Sequence, residues 1–93
     1  MRNIDLDTIL VPNTACPVRE IGDGLIIMAP TGTATHTLEE IGAFVWRHLD
    51  GQRTLRQVAE ALVGEYDVTF DAAAKDICDF ASQLVDAELV ARS

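Results

Sequence analysis

Positive charge is scarce in this sequence. Seven lysines and arginines stand against fifteen aspartates and glutamates, leaving a formal charge of −8 over 93 residues. A polyanionic partner is repelled by such a chain, which counts against nucleic acid. Cysteine is scarce too. Cys16 and Cys78 lie far apart, with no CxxC or HxxxH spacing beside them, and His36 and His48 fall in different segments with no sulfur close in sequence. That pattern gives no zinc site and points to two reduced, mostly packed thiols. No apolar run approaches the roughly 20 residues that a membrane span needs. The opening Met1-Arg2-Asn3-Ile4-Asp5-Leu6-Asp7 lacks the basic-then-apolar layout of a secretion signal. The expectation is a cytoplasmic protein without a membrane segment. There is no nucleophile–base pair, metal cluster or phosphate loop, so no catalytic residue, metal or cofactor is expected.

What the sequence does have is an apolar fraction of 48%, ordinary for a folded chain, and no low-complexity tail. The length suits one domain, residues 1–93, with one modest core. Its two parts differ in period. Up to about Leu38 the chain reads as extended segments, and from about Glu39 as helices.

Residues 14–21 (TACPVREI) alternate loosely, as a half-buried strand does. Gly22-Asp23-Gly24 supplies a tight turn. Residues 25–29 (LIIMA) form a short apolar strand, Pro30-Thr31-Gly32 a second turn, and residues 33–38 (TATHTL) a third, β-branched strand. Short turns between three strands predict an antiparallel meander. The LIIMA run does not alternate, so both faces of the sheet need cover. The helices supply one; the N-terminal Ile4, Leu6, Ile9, Leu10 and Val11, or a second copy of the chain, would supply the other.

Ile41, Phe44, Val45, His48 and Leu49 make one helical stripe, with Thr37 and Glu40 spaced as a capping box and Asp50-Gly51 as the stop. Thr54 caps a second helix with Leu55, Val58, Ala59, Leu62 and Val63 inward, ending near residues 64–67. Thr69 caps a third, running to about Ala87, with Ala73, Ile77, Phe80, Ala81, Leu84 and Val85 inward; Leu89-Val90 then packs back on the core. The predicted fold is α+β: an N-terminal three-stranded antiparallel meander (about residues 14–38) followed by three helices (about 39–90), winged-helix-like with the sheet placed first.

These residues resemble a family. Trp46-Arg47-His48-Leu49-Asp50-Gly51-Gln52-Arg53-Thr54 is similar to the IWxxLDGxxT signature of PqqD-like proteins. Val58-Ala59-Glu60-Ala61-Leu62, Glu65-Tyr66-Asp67-Val68, and Asp76-Ile77 with Phe80 and Leu84 follow in the family's order, after hairpin segments at residues 19–24 and 30–32. The resemblance spans nearly the whole chain. Two departures stand out. Leu38-Glu39 replaces the usual Leu-Asn, which removes an asparagine N-cap and leaves the first helix to Thr37 or to a different start. Glu88-Leu89 replaces a Gly-Leu closing the third helix, which removes a convenient C′ glycine.

The resemblance implies a non-catalytic recognition element for ribosomally made precursor peptides. Such proteins bind the precursor's leader and present it to a modifying enzyme, often a radical-SAM protein, or to a leader peptidase. The leader adds as a strand beside the third strand, in a cleft against the third helix. On this chain the contacts fall on Thr33, Thr35, His36, Thr37 and Leu38 of the strand and on Asp76, Ile77, Asp79, Phe80, Gln83 and Leu84 of the helix. The residues themselves allow it: the third strand has no proline or lysine to blunt its edge. Plainer roles stand beside these. Ile77, Phe80 and Leu84 have core spacing, Asp76 and Asp79 suit a solvated face, His36 suits a satisfied, partly buried position, and Phe44 and Trp46 suit core anchors.

The rival reading is a winged-helix DNA-binding regulator. The second helix offers Arg53 and Arg56, but the third sets Lys75 against Asp71, Asp76, Asp79 and Asp86. An electrophoretic shift assay at low salt is expected to show no retarded duplex; a robust DNA complex would reverse this choice.

Overall fold

The computed structural model describes residues 4–30 and 34–93. Eight elements follow in order: β1 (Leu10–Pro12), β2 (Val18–Ile21), β3 (Gly24–Met28), β4 (Thr35–Leu38), α1 (Ile41–His48), α2 (Leu55–Glu65), α3 (Phe70–Asp86) and β5 (Val90–Arg92). The α+β reading holds: an antiparallel β2-β3-β4 meander precedes the helices. β2, the first strand of the meander, is shorter than the expected residues 14–21, because a turn at Thr14 and Ala15 and a bend at Cys16 break that stretch. Thr31, Gly32 and Thr33, predicted as turn and strand start, lie outside the described residues.

A second sheet was not foreseen. β1 and β5 pair antiparallel, Leu10 opposite Arg92 and Pro12 opposite Val90. The N-terminal stretch therefore does not cover the outer face of the meander, as one alternative had it. Leu10 is fully buried in the core, and the main chain of residues 6–9 is bonded to the C-terminal segment and the start of α2: Ile9 to Ser93, Thr8 to Leu55 and Leu6 to Arg56.

β3 is buried on one face only. Leu25 and Ile27 point into the core, whereas Met28 is 40% exposed and Ile26 is half-buried. The continuous apolar run thus marks one packed face and one bare one. Gly24 is required by close approach: a Cβ there would sit 2.7 Å from the Leu38 carbonyl oxygen, so the end of the β3–β4 pair has no room for a side chain. Gly22, at φ +60, turns β2 into β3.

The caps of α2 and α3 stand where the sequence puts them. Thr54 and Gln57 form a full capping box, and Thr69 accepts the Ala72 N–H. The capping box at Thr37 does not form. Thr37 belongs to β4, so Glu40 takes the N-cap position at φ 49 with no side-chain bond. Asp50 instead caps the turn after α1, accepting from the Gln52 and Arg53 N–H groups, and these bonds hold its carboxyl below the usual range.

At the end of α3 the missing glycine is felt. Leu89 N–H donates to the Leu84 carbonyl and Glu88 N–H to that of Val85, a Schellman closure, with Glu88 at φ 61. A side chain in this left-handed position is strained. Glu88→Gly is expected to stabilise the fold by about 0.5–1 kcal/mol, the gain reduced by glycine's greater unfolded entropy, and to raise the urea midpoint.

Candidate functional site

The meander has two free edges, and backbone phase decides what each offers. Ala29 N–H donates to the Ala34 carbonyl. Antiparallel alternation then turns the main-chain groups of His36 and Leu38 toward β3 and leaves the N–H and C=O of Thr35 and Thr37 facing outward. Side chains follow the pleat. His36 and Leu38 share the inner face with Ile27 and Leu25, while Thr35 and Thr37 share the outer face with Met28 and Ile26.

Between this edge and the C-terminal half of α3 runs a cleft of about 350 Å³, lined by His36, Thr37, Leu38, Phe80, Gln83, Leu84, Ala87 and Leu89. Phe80, Gln83, Leu84 and Ala87 recur at i, i+3, i+4 and i+7, which puts them on one side of α3. The Phe80 ring approaches Gly42 of α1 to 3.6 Å from where a Cβ would stand, beside Leu38, and so closes the cleft toward α1. Leu38, Leu84 and Leu89 are buried, so its floor is continuous with the core.

Of the anticipated residues, His36, Thr37, Leu38, Phe80, Gln83 and Leu84 line this cleft together. Thr35 stands exposed on the same edge. Thr33 lies outside the described residues. Ile77 does not take part: it is 1% exposed and packs in the core, since its helical phase points inward with Ala73, Ala81 and Leu84. Asp76 and Asp79 are exposed and do not line the cleft. Asp76 lies one turn before Phe80 on the same side of α3, while Asp79 is rotated roughly 100° from Phe80. His36 is half-buried on the inner face of β4, as a partly buried histidine was expected to be, and no buried polar side-chain atom among the described residues lacks a partner. Ala87 and Leu89 were missed as lining residues; one is small and the other follows the helix end, so neither carries a helical signal.

Both cysteines are free. Burial, and secondarily Glu88, raises the Cys16 thiol; burial, then Asp5 and Asp79, raises that of Cys78. Neither thiol is activated, and among the described residues no cluster could hold a metal ion. The arginines of the DNA-binding alternative are engaged: Arg53 with Asp50 at 3.2 Å and Arg56 with Asp7 at 3.3 Å. Among the described residues no helix is long and apolar enough to cross a membrane.

Two comparisons place this geometry among known proteins. A family model described as Coenzyme PQQ synthesis protein D (PqqD) matches residues 24–90, which include β4 and α3. The solved structure of TbiB1 in complex with the TbiA(beta) leader peptide is similar in fold, with a TM-score of 0.79 at 21% identity, over 86% of this chain and 93% of that one. No curated protein matches the sequence.

The cleft-lining residues differ in what they support. Leu84→Ala is expected to cost about 2–5 kcal/mol, because that side chain belongs to core and cleft alike. Gln83→Ala is expected to leave stability within about 0.5 kcal/mol. Paired chemical denaturation curves check both.

Proposed function

That the chain belongs to the PqqD family is the premise from which we infer that it binds the leader of a ribosomally made precursor peptide by strand addition and performs no chemistry itself. The observation that carries this reading is the free edge of β4. Thr35 and Thr37 turn both main-chain donors and acceptors outward, directly beside a cleft with an apolar floor. Main-chain pairing would supply affinity for any extended peptide, and the cleft would supply selectivity. A leader strand beside β4 sends alternate side chains to the inner face, toward Phe80 and Leu84. Each leucine-sized anchor seated there contributes about 1.5–3 kcal/mol. The His36 ring and the Gln83 amide, on the cleft wall, add polar contacts to the bound segment. Asp76, on the cleft side of α3, favours a basic leader residue nearby. That TbiB1 has been solved with a leader peptide on a similar fold supports this reading.

The bound precursor would then be presented to its modifying enzyme, a radical-SAM protein or another, or to a leader peptidase, in the cytoplasm. Synthesis of PQQ is one such pathway, and other modified peptides are made in the same manner.

Thr35→Pro tests the strand-addition mode. Because the Thr35 N–H faces away from β3, proline leaves the β3–β4 ladder intact and removes one edge donor. Affinity for a synthetic peptide carrying the leader of its cognate precursor, read by fluorescence anisotropy, is expected to fall at least about tenfold. The helical circular dichroism signal should be retained. Unchanged affinity overturns strand addition at β4.

A further inference from the structure

Strand addition at β4 fixes which leader side chain meets which wall of the cleft. The main-chain groups of Thr35 and Thr37 face outward. A leader strand that continues the antiparallel pattern of the meander exchanges its bonds with those two residues. His36 then stands at the non-bonded position between them. Residues opposed at such a position come closest, with Cα atoms about 4.5 Å apart and side chains on the same face. One leader residue therefore lies directly against the His36 ring, its side chain pointing into the cleft. The residue two places before it faces Leu38, beside Phe80.

The cleft is polar on both walls at that central place. Phe80 closes the end toward α1. From that end Gln83 lies about 4.5 Å along α3, and His36 about 7 Å along β4 from Leu38, so both fall in the same stretch. Both are open to water in the empty cleft, His36 being half-buried and Gln83 exposed. A bound strand displaces that water. An apolar side chain seated there covers two polar groups and offers neither a partner. A carboxylate is opposed by the exposed Asp76 and Glu88, one turn before Phe80 and between Ala87 and Leu89, and by a chain charge of −8. A lysine or arginine finds no carboxylate in the lining, where His36 is the sole ionisable side chain among the described residues. An amide or a hydroxyl both donates and accepts, and so suits either tautomer of His36.

We propose that His36 and Gln83 select an uncharged hydrogen-bonding side chain, an amide or a hydroxyl, at the leader position opposite His36. That position lies two residues after the apolar anchor facing Leu38 and Phe80. This rests on leader binding at β4 and adds to it a register and a chemical class. A wholly apolar segment pairs with the same edge but leaves the middle of the cleft without partners, and is rejected for that reason.

The test uses the full chain and synthetic peptides of the cognate leader. In these, each amide or hydroxyl residue in turn is replaced by its nearest apolar counterpart: Asn by Leu, Gln by Met, Thr by Val, Ser by Ala. Calorimetry measures their affinities for wild type, His36→Leu and Gln83→Leu, alongside urea midpoints. One replacement is expected to weaken wild-type binding at least about tenfold. Against either variant the same replacement should cost no more than about twofold. Aspartate at that leader position should also weaken wild-type binding. If His36→Leu lowers the urea midpoint, Gln83→Leu, at an exposed position, decides. A leader whose every polar position tolerates its apolar counterpart overturns the proposal. So does a loss that persists undiminished in the variants, or tighter binding of the aspartate peptide; leader recognition stands in each of these cases. If wild type fails to bind the leader at all, the recognition reading fails and this one with it.

Discussion

The chain reversal after α3 is the joint on which the cleft depends. Glu88 is held in a left-handed conformation so that the Leu89 N–H can return to Leu84 and the Glu88 N–H to Val85. The same corner receives the N-terminal segment. Asn13 N–H donates to the Leu89 carbonyl, the Asn13 side-chain amide donates to that of Glu88, and the Cys16 thiol lies 3.6 Å from the same oxygen. One strained residue therefore fixes the end of α3, places β5 against β1 and sets Leu89 into the cleft floor. Straightening this corner would move the floor away from β4.

The two edges of the meander are treated differently. β2 is wholly exposed and carries Arg19 and Glu20, the latter paired with Arg47 of α1 at 2.9 Å. Charge at an edge discourages casual pairing. β4 carries threonine and histidine, with no charge in the strand. An edge left in this state is open to an added strand.

Much of this arrangement is legible in the residues. Thr54 and Thr69 announce their helices by local chemistry, and the hairpin at Gly22 needs only its positive φ. The cleft-facing side of α3 follows from the spacing of Phe80, Gln83 and Leu84. Other features are not legible because nothing local encodes them. β1 and β5 are three residues each, too short to show a period, and exist because distant segments meet. Ile77 and Phe80 are near neighbours in a helical stripe, and only the position of β4 decides that one is core and the other wall. The outer face shows the same limit: an unbroken apolar run suggested cover on both sides, and within the chain only Leu25 and Ile27 pack inward.

The pairing of β1 with β5 also bears on the order in which the protein is made. Leu10 waits for Arg92, the most distant register match in the fold, and contacts this remote in sequence bear the largest loop-closure entropy and form late. On the ribosome, where the N-terminal part emerges first, the meander and the first two helices have all their partners before Leu89 exists. The floor of the cleft at Leu89 is synthesised well after the β4 edge. A nascent chain thus has an open β4 edge but an incomplete pocket beside it, and selectivity arrives only once the C-terminal strand has closed against the beginning of the chain.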